Sequence, residues 1–165
     1  MPSPKAKGLE ELFTDTLKDI YFAEKQILRA LPKMAKSASS QELSQAFEKH
    51  RDETEGHVER LEEIFETMKK PARGKTCDAI MGIIEEGKEI TEEYAGDPAL
   101  DAGLAAAAQA VEHYEIARYG TLRTWAEQLG MKDAAMILNE TLQEEIKTDQ
   151  LLTKLATSVV NQKAA

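Results

Sequence analysis

An all-α fold built from four long helices is what this sequence predicts, and three observations carry the prediction. Long runs are rich in Ala, Leu, Glu and Lys, with only five prolines, a composition that favours helix. No segment of useful length alternates apolar and polar residues as a strand would. Four helix-length segments instead carry apolar residues three and four apart, the spacing of one helical face. At 165 residues the chain suits one domain, 1–165, with a single sizeable core.

The first helix is expected from about Gly8 to Lys36, with Phe13, Leu17, Ile20, Ile27, Leu31 and Met34 on its stripe and Pro32 able to kink its end. The second follows a Ser-rich turn and runs from about Ser40 to Lys70. Ser39 and Glu42, three residues apart, have the spacing of a capping box. A loop from Pro71 to Lys75 follows, then a shorter helix capped by Thr76 and ending at Tyr94, with Ile80, Met81, Ile83, Ile84 and Ile90 on its apolar side. Gly96, Asp97 and Pro98 break the chain before a long helix from Ala99 to Leu129. The last helix spans Lys132 to about Val160, past a turn at Gly130. The short first and last turns make two antiparallel hairpins. The extended connection between them lets the second and fourth helices run parallel, which is the topology of a ferritin-like four-helix bundle with a long crossover containing a short fifth helix.

Each long stripe is interrupted near its middle by acid. Glu24 is the sole polar member of the first stripe; Glu53 lies beside His50 and His57 on the second; Glu112 and Glu115 occupy the third; Glu145 and Asp149 occupy the last. In antiparallel neighbours, residues equally far from the shared turn meet. Glu24 and Glu53 are each roughly thirteen residues, or ~20 Å, from the Ser37–Ser40 turn. Glu112 and Glu115 match Glu145 and Asp149 about the Gly130 turn in the same way. Buried acids that outnumber nearby cations call for metal, because unpaired buried charge costs several kcal/mol per ion.

Paired iron or manganese ions need bridging carboxylates, with imidazole completing the ligand set and a position left for oxygen or peroxide. The generic bundle pattern uses Glu-x-x-His on two helices. This chain has none; it offers His50-x-x-Glu53, Glu53-x-x-x-His57 and Glu145-x-x-x-Asp149, and a spacing of four also keeps both groups on one face. The expected set is Glu24, Glu53, Glu112 and Glu145 at the centre, His57 and Asp149 as terminal ligands, then His50 and Glu115. Arg118 is placed to offset one charge near Glu115. Tyr21 and Tyr119 are placed to hydrogen-bond ligands or to pack, and His113 falls off the ligand face. The alternative is a hydrated seam or dimer interface in which the acids pair with lysines and arginines.

The formal charge of −9 opposes general attraction to nucleic acid or membrane surfaces, and the basic run Lys69, Lys70, Arg73, Lys75 reads as a solvated loop around Pro71 and Gly74. Cys77, the single cysteine, excludes an intrachain disulfide, a Cys-x-x-Cys pair and a rubredoxin-type iron centre, and reads as a small residue at a helix start. Met1 to Gly8 contains no apolar leader core, and no stretch reaches the ~20 apolar residues of a membrane span. A cytoplasmic protein is expected.

The segments Tyr21-Phe-Ala-Glu-Lys-Gln26, His50-Arg-Asp-Glu-Thr54 with Val58-Glu-Arg-Leu61, Val111-Glu-His-Tyr-Glu-Ile116, Tyr119-Gly-Thr-Leu122, Ala126-Glu-Gln-Leu-Gly130, Thr141-Leu-Gln-Glu-Glu145 and Thr148-Asp149 resemble the YciF/YciE family of bacterial stress-associated, ferritin-like proteins. The resemblance spans nearly the whole chain. It implies a rubrerythrin-like bundle, homodimers and a dinuclear metal centre. Two functions follow as expectations: a di-iron or di-manganese protein reacting with oxygen or peroxide, or a non-catalytic structural bundle whose polar centre sets helix register. Metal storage is a third, for which the sequence shows no cage-forming feature.

Overall fold

The computed structural model describes residues 6–165; Met1 to Lys5, part of the segment expected to lack a leader, lie outside the described residues. The elements are α1 (Leu9–Ser37), α2 (Gln41–Thr67), α3 (Asp78–Glu93), α4 (Leu100–Gln128) and α5 (Lys132–Leu155), then a π-helical stretch (Ala156–Val160) and a short α6 (Asn161–Ala164). Pro32 is accommodated within α1, which continues to Ser37.

Helix ends differ from the sequence expectation: α2 stops at Thr67 rather than Lys70, and regular α5 stops at Leu155, giving way to the π-helical stretch up to Val160. Ser40, not Ser39, caps α2: its Oγ accepts from the Leu43 N–H at 3.3 Å. The Ser39 and Ser40 N–H groups instead donate to the two carboxylate oxygens of Asp101, at 2.8 and 2.7 Å. Cys77, not Thr76, caps α3, its Sγ accepting from the Ile80 N–H at 3.4 Å. The helix-start reading of Cys77 therefore holds.

Both α2 and α4 close with the same six-residue motif. At α4, Met131 N–H donates to the Ala126 carbonyl at 2.9 Å and Gly130, with φ 74°, to Glu127 at 3.1 Å. At α2, Lys70 N–H donates to Phe65 and Lys69 N–H to Glu66, both at 2.9 Å. The left-handed position there falls on Lys69, φ 55°, where glycine is the usual residue.

Around the bundle α1 packs on α2, α2 on α5, α5 on α4 and α4 on α1, while α3 lies across α1 and α4. The Asp101 bonds tie the start of α4 to the start of α2, so these two helices run parallel. At the other end Lys70 Nζ donates to Thr14 Oγ1 at 3.0 Å, setting the end of α2 beside the start of α1. The connection carrying α3 therefore crosses the length of the bundle, as the crossover topology requires. Its basic stretch is largely exposed and is anchored by Lys75 N–H donating to the Lys18 carbonyl at 3.1 Å.

The inward stripes form one core of Phe13, Leu17, Ile20, Phe47, Leu104, Leu122 and their neighbours. Burying each such side chain contributes about 1.5–3 kcal/mol. That reserve sustains the polar group at the centre.

Candidate metal centre

His50 and His57 sit two turns apart on the inward face of α2, with side chains 4% and 0% exposed. Each ring has one nitrogen facing inward and one facing outward. His57 Nδ1 lies 2.9 Å from Glu145 Oε1 and 3.4 Å from Glu24 Oε1, while its Nε2 meets Glu144 Oε2 at 2.9 Å. His50 Nε2 lies 3.0 Å from Glu112 Oε1 and 3.7 Å from Glu145 Oε2, while its Nδ1 faces Glu53 Oε2 at 3.6 Å and Thr148 Oγ1 at 3.4 Å. A carboxylate behind an imidazole fixes the ring and sharpens its inner nitrogen as a donor to metal.

Ligand atoms of His50, Glu112, Glu115 and Glu145 all lie within 4.8 Å of one another, and so do those of Glu24, His57 and Glu145. Glu145 belongs to both groups. Its Oε1 points to His57 and its Oε2 to His50. Tyr119, buried from α4, donates its hydroxyl to Glu24 Oε1 at 2.5 Å.

The inner atoms are short of partners. Glu24 Oε2, Glu112 Oε2, both oxygens of Glu115, both of Glu145, His50 Nε2 and His57 Nδ1 are buried without a hydrogen bond. The 2.9 and 3.0 Å imidazole–carboxylate approaches attract as charges, but are not aligned as N–H···O bonds. Leaving so many buried polar atoms unsatisfied costs about 1–3 kcal/mol each. Their convergence, and an oxygen set completed by imidazole, fit a metal ion.

Protonation reflects the same crowding. Burial opposes the charged form of His50, but Glu112 with Glu53 and Glu145 outweighs it and raises the imidazole to about 10. At His57 burial is likewise overcome, by Glu24, Glu144 and Glu145, and the ring is pushed up to about 12. Burial lifts Glu112 to about 8, partly offset by His50. Burial and the charges of Glu145, Glu24 and Glu112 lift Glu115 well above the carboxylate range. Burial would also raise Glu145, yet the two imidazoles hold it low.

Six of the eight expected ligands are therefore brought together: Glu24, His50, His57, Glu112, Glu115 and Glu145. Glu53 and Asp149 are not. Thr54, fully buried between the histidines with its Oγ1 donating to the His50 carbonyl at 2.8 Å, takes the inward face of α2. Glu53 is rotated off that face, its side chain 25% exposed and paired with Lys49 at 3.1 Å. Consequently Glu24 meets His57 rather than Glu53. Asp149 turns to the edge of α4, accepting from Gln109 Nε2 at 3.2 Å and pairing with His113 at 3.1 Å. His113 is 70% exposed, off the site as expected.

Arg118 does not offset Glu115: among the described residues no ion pair joins them, and the guanidinium lies over the Tyr114 ring, 5.2 Å from its centre. Tyr21 packs edge-on to Phe65 and donates to Glu62 Oε1 at 2.8 Å, away from the site. The sequence reading missed Glu144. Arg60 grips it with Nη1 to Oε2 at 2.7 Å and Nη2 to Oε1 at 2.9 Å, and reaches Glu140 at 2.7 Å. His57 and Arg60 together hold Glu144 down at about 2. The available signal was Arg60, one turn beyond His57, opposite the Glu140/Glu144 pair of α5.

A family model described as a domain of unknown function, DUF892, matches residues 8–165. The chain belongs to the DUF892 family. Over 159 residues, 96% of either protein, this DUF892 chain is 49% identical to Protein YciF of Escherichia coli K12. The crystal structure of the E. coli stress protein YciF superposes with a TM-score of 0.90 at 48% identity, covering 95% of this chain and 99% of that one. YcfI of Rhodopseudomonas palustris gives 0.88 at 44% identity, over 93% and 98% of the two chains. A Xanthomonas campestris protein, 23% identical, shares the fold, with a TM-score of 0.71 over 93% and 94%. The resemblance to the YciF/YciE proteins and the ferritin-like bundle thus hold for nearly the whole DUF892 chain. Among its described residues no helix is long and apolar enough to cross a membrane.

Proposed function

We propose that this DUF892 chain holds two divalent ions, iron or manganese, and reacts with oxygen or peroxide as part of a stress response. The observation that carries the reading is Glu145, which offers one carboxylate oxygen to each of two buried ligand groups. One group draws on Glu24 and His57, the other on His50, Glu112 and Glu115. Charge supports the count. Four carboxylates, Glu24, Glu112, Glu115 and Glu145, balance two divalent cations when both imidazoles are neutral, whereas a single ion leaves two negative charges buried.

Bound iron or manganese would supply one-electron redox chemistry and an open coordination position. The chain's residues would do the rest: Glu53 and Glu144 orient the imidazoles, the Tyr119 hydroxyl holds Glu24, and the apolar stripes exclude bulk water. The stress setting follows the description of E. coli YciF, and the homodimer follows the family resemblance.

Anaerobic titration with ferrous iron, and separately with manganous ion, should reach about two ions per chain, and the loaded protein should consume hydrogen peroxide faster than the Glu145→Gln variant. Failure to bind either ion stoichiometrically would remove the reading. A structural bundle would instead show stability and assembly indifferent to metal and to Glu145→Gln. Solution mass tests the homodimer.

A further inference from the structure

A cavity of about 510 Å³ runs from the α1/α3 surface down to the metal-centre residues His50 and Glu112. Its walls are apolar, formed by Ile27, Leu31, Phe47, Ile84, Val111 and Leu152. The volume lies within the ~300–1,000 Å³ of small-molecule sites. Of the apolar residues on α3 only Ile80 is fully buried; Ile83 and Ile84 line the cavity and remain half-buried. The outer end is charged the other way from the protein as a whole. Arg29, Lys33 and Lys88 stand there against Glu92. Lys88 is shared with Glu85 at 3.4 Å and Glu92 at 4.0 Å, whereas Arg29 and Lys33, exposed on successive turns of α1, form no ion pair among the described residues. On a chain of net charge −9, two unpaired cations beside an apolar shaft select for an anion with an apolar body.

We propose that this cavity binds an amphipathic organic anion, an unbranched apolar chain ending in a carboxylate, with the carboxylate at Arg29 and Lys33 and the chain directed toward His50 and Glu112. Binding needs only the cavity. That the inner end of the ligand meets a metal centre rests on the function proposed above.

Decanoate is the probe, titrated calorimetrically into the folded protein with and without ferrous iron under anaerobic conditions. One equivalent should bind per chain, with decanol and decyltrimethylammonium weaker by about tenfold or more, the worth of one lost charge contact. Arg29→Glu with Lys33→Glu should reverse the preference between decanoate and the cation without changing the melting temperature, since both side chains are exposed. Ile84→Trp, at a half-buried wall position, should weaken decanoate binding at least tenfold by narrowing the cavity. Equal binding of the three probes, or decanoate binding indifferent to all these changes, would overturn the assignment. So would no binding by a dimer that Ile84→Trp dissociates, because a second copy would then cover the mouth. Decanoate binding without iron binding would defeat the metal reading alone; iron binding without decanoate binding would defeat this one alone.

Discussion

Metal loading of this centre should expel protons, and their number can be worked from the side chains. At pH 7 the site without metal holds four protons that a metal would displace: one each on His50, raised to about 10, and His57, raised to about 12, and one each on Glu112, raised to about 8, and Glu115, raised well above the carboxylate range. Two ions that take both inner nitrogens and all the carboxylates must displace about four protons per chain at pH 7. Near pH 9 Glu112 is already mostly ionised, and the number falls by about one or more. Metal titrations in two buffers of different ionisation enthalpy measure the count directly. The slope of the logarithm of the overall binding constant against pH measures it independently. Release of no more than one proton would show that the imidazoles and acids are not displaced together, and would refute the convergent ligand set.

The same four groups set the stability of the metal-free chain. Each binds its proton more tightly folded than unfolded, so folding retains protons that unfolding releases, and stability falls as pH rises. The contribution of Glu112 is complete below about 4.5 and lost through about 8; that of His50 is complete below about 6.5 and lost through about 10. Metal binding strengthens over the same interval. The rise in melting temperature on loading should therefore widen steadily from pH 6 to pH 9.

Glu144→Gln should weaken metal binding by about 10–100-fold, the usual cost of losing an acid behind a ligating imidazole, and Glu53→Gln should cost less, since its contact with His50 is 3.6 Å rather than 2.9 Å; competition with a chromophoric chelator ranks them. Glu115→Gln replaces a protonated buried acid by a neutral amide of the same shape, so the metal-free melting temperature should hold while one ion's binding is lost, as elemental analysis would report. Lys69→Gly should raise stability in urea by about 0.5–1 kcal/mol, because relief of the left-handed strain exceeds glycine's entropic cost. Asp101→Ala should lower it by about 2 kcal/mol through the two lost backbone bonds.

The bundle was legible because its stripes are long and its breaks, at Gly96-Asp97-Pro98 and Gly130, are strong. The site was legible wherever facing alone decides it: Glu24, Glu112, Glu115 and Glu145 interrupt apolar stripes, and nothing else on those faces competes. On α2 facing alone does not decide. Glu53 and Thr54 are adjacent, one hundred degrees apart, and either fits a stripe through His50 and His57. Thr54 takes the inward position, and its hydroxyl satisfies itself on the His50 carbonyl and needs no outside partner. Asp149 lies outside the buried group for a different reason. It lies one turn past Glu145, but Gln109 and His113 on α4 draw it outward, and such cross-helix pairing has no periodicity to read.

That outward rotation of Glu53 gives the centre two unlike sides. Glu53 and Glu144, side chains 25% and 27% exposed, stand behind the imidazoles where α2 packs on α5. Each sets a partly exposed carboxylate against one buried imidazole. The apolar cavity is lined by α1, α3 and α4 and reaches His50 of α2 and Thr148 and Leu152 of α5 at its inner end. Had Glu53 pointed inward, the buried set would have held a fifth carboxylate, and two divalent ions would have left it negative. With Thr54 inward the charges of four acids and two divalent ions would cancel. His50 keeps a partly exposed acid partner, Glu53, on the side of its ring away from Glu112 and Glu145.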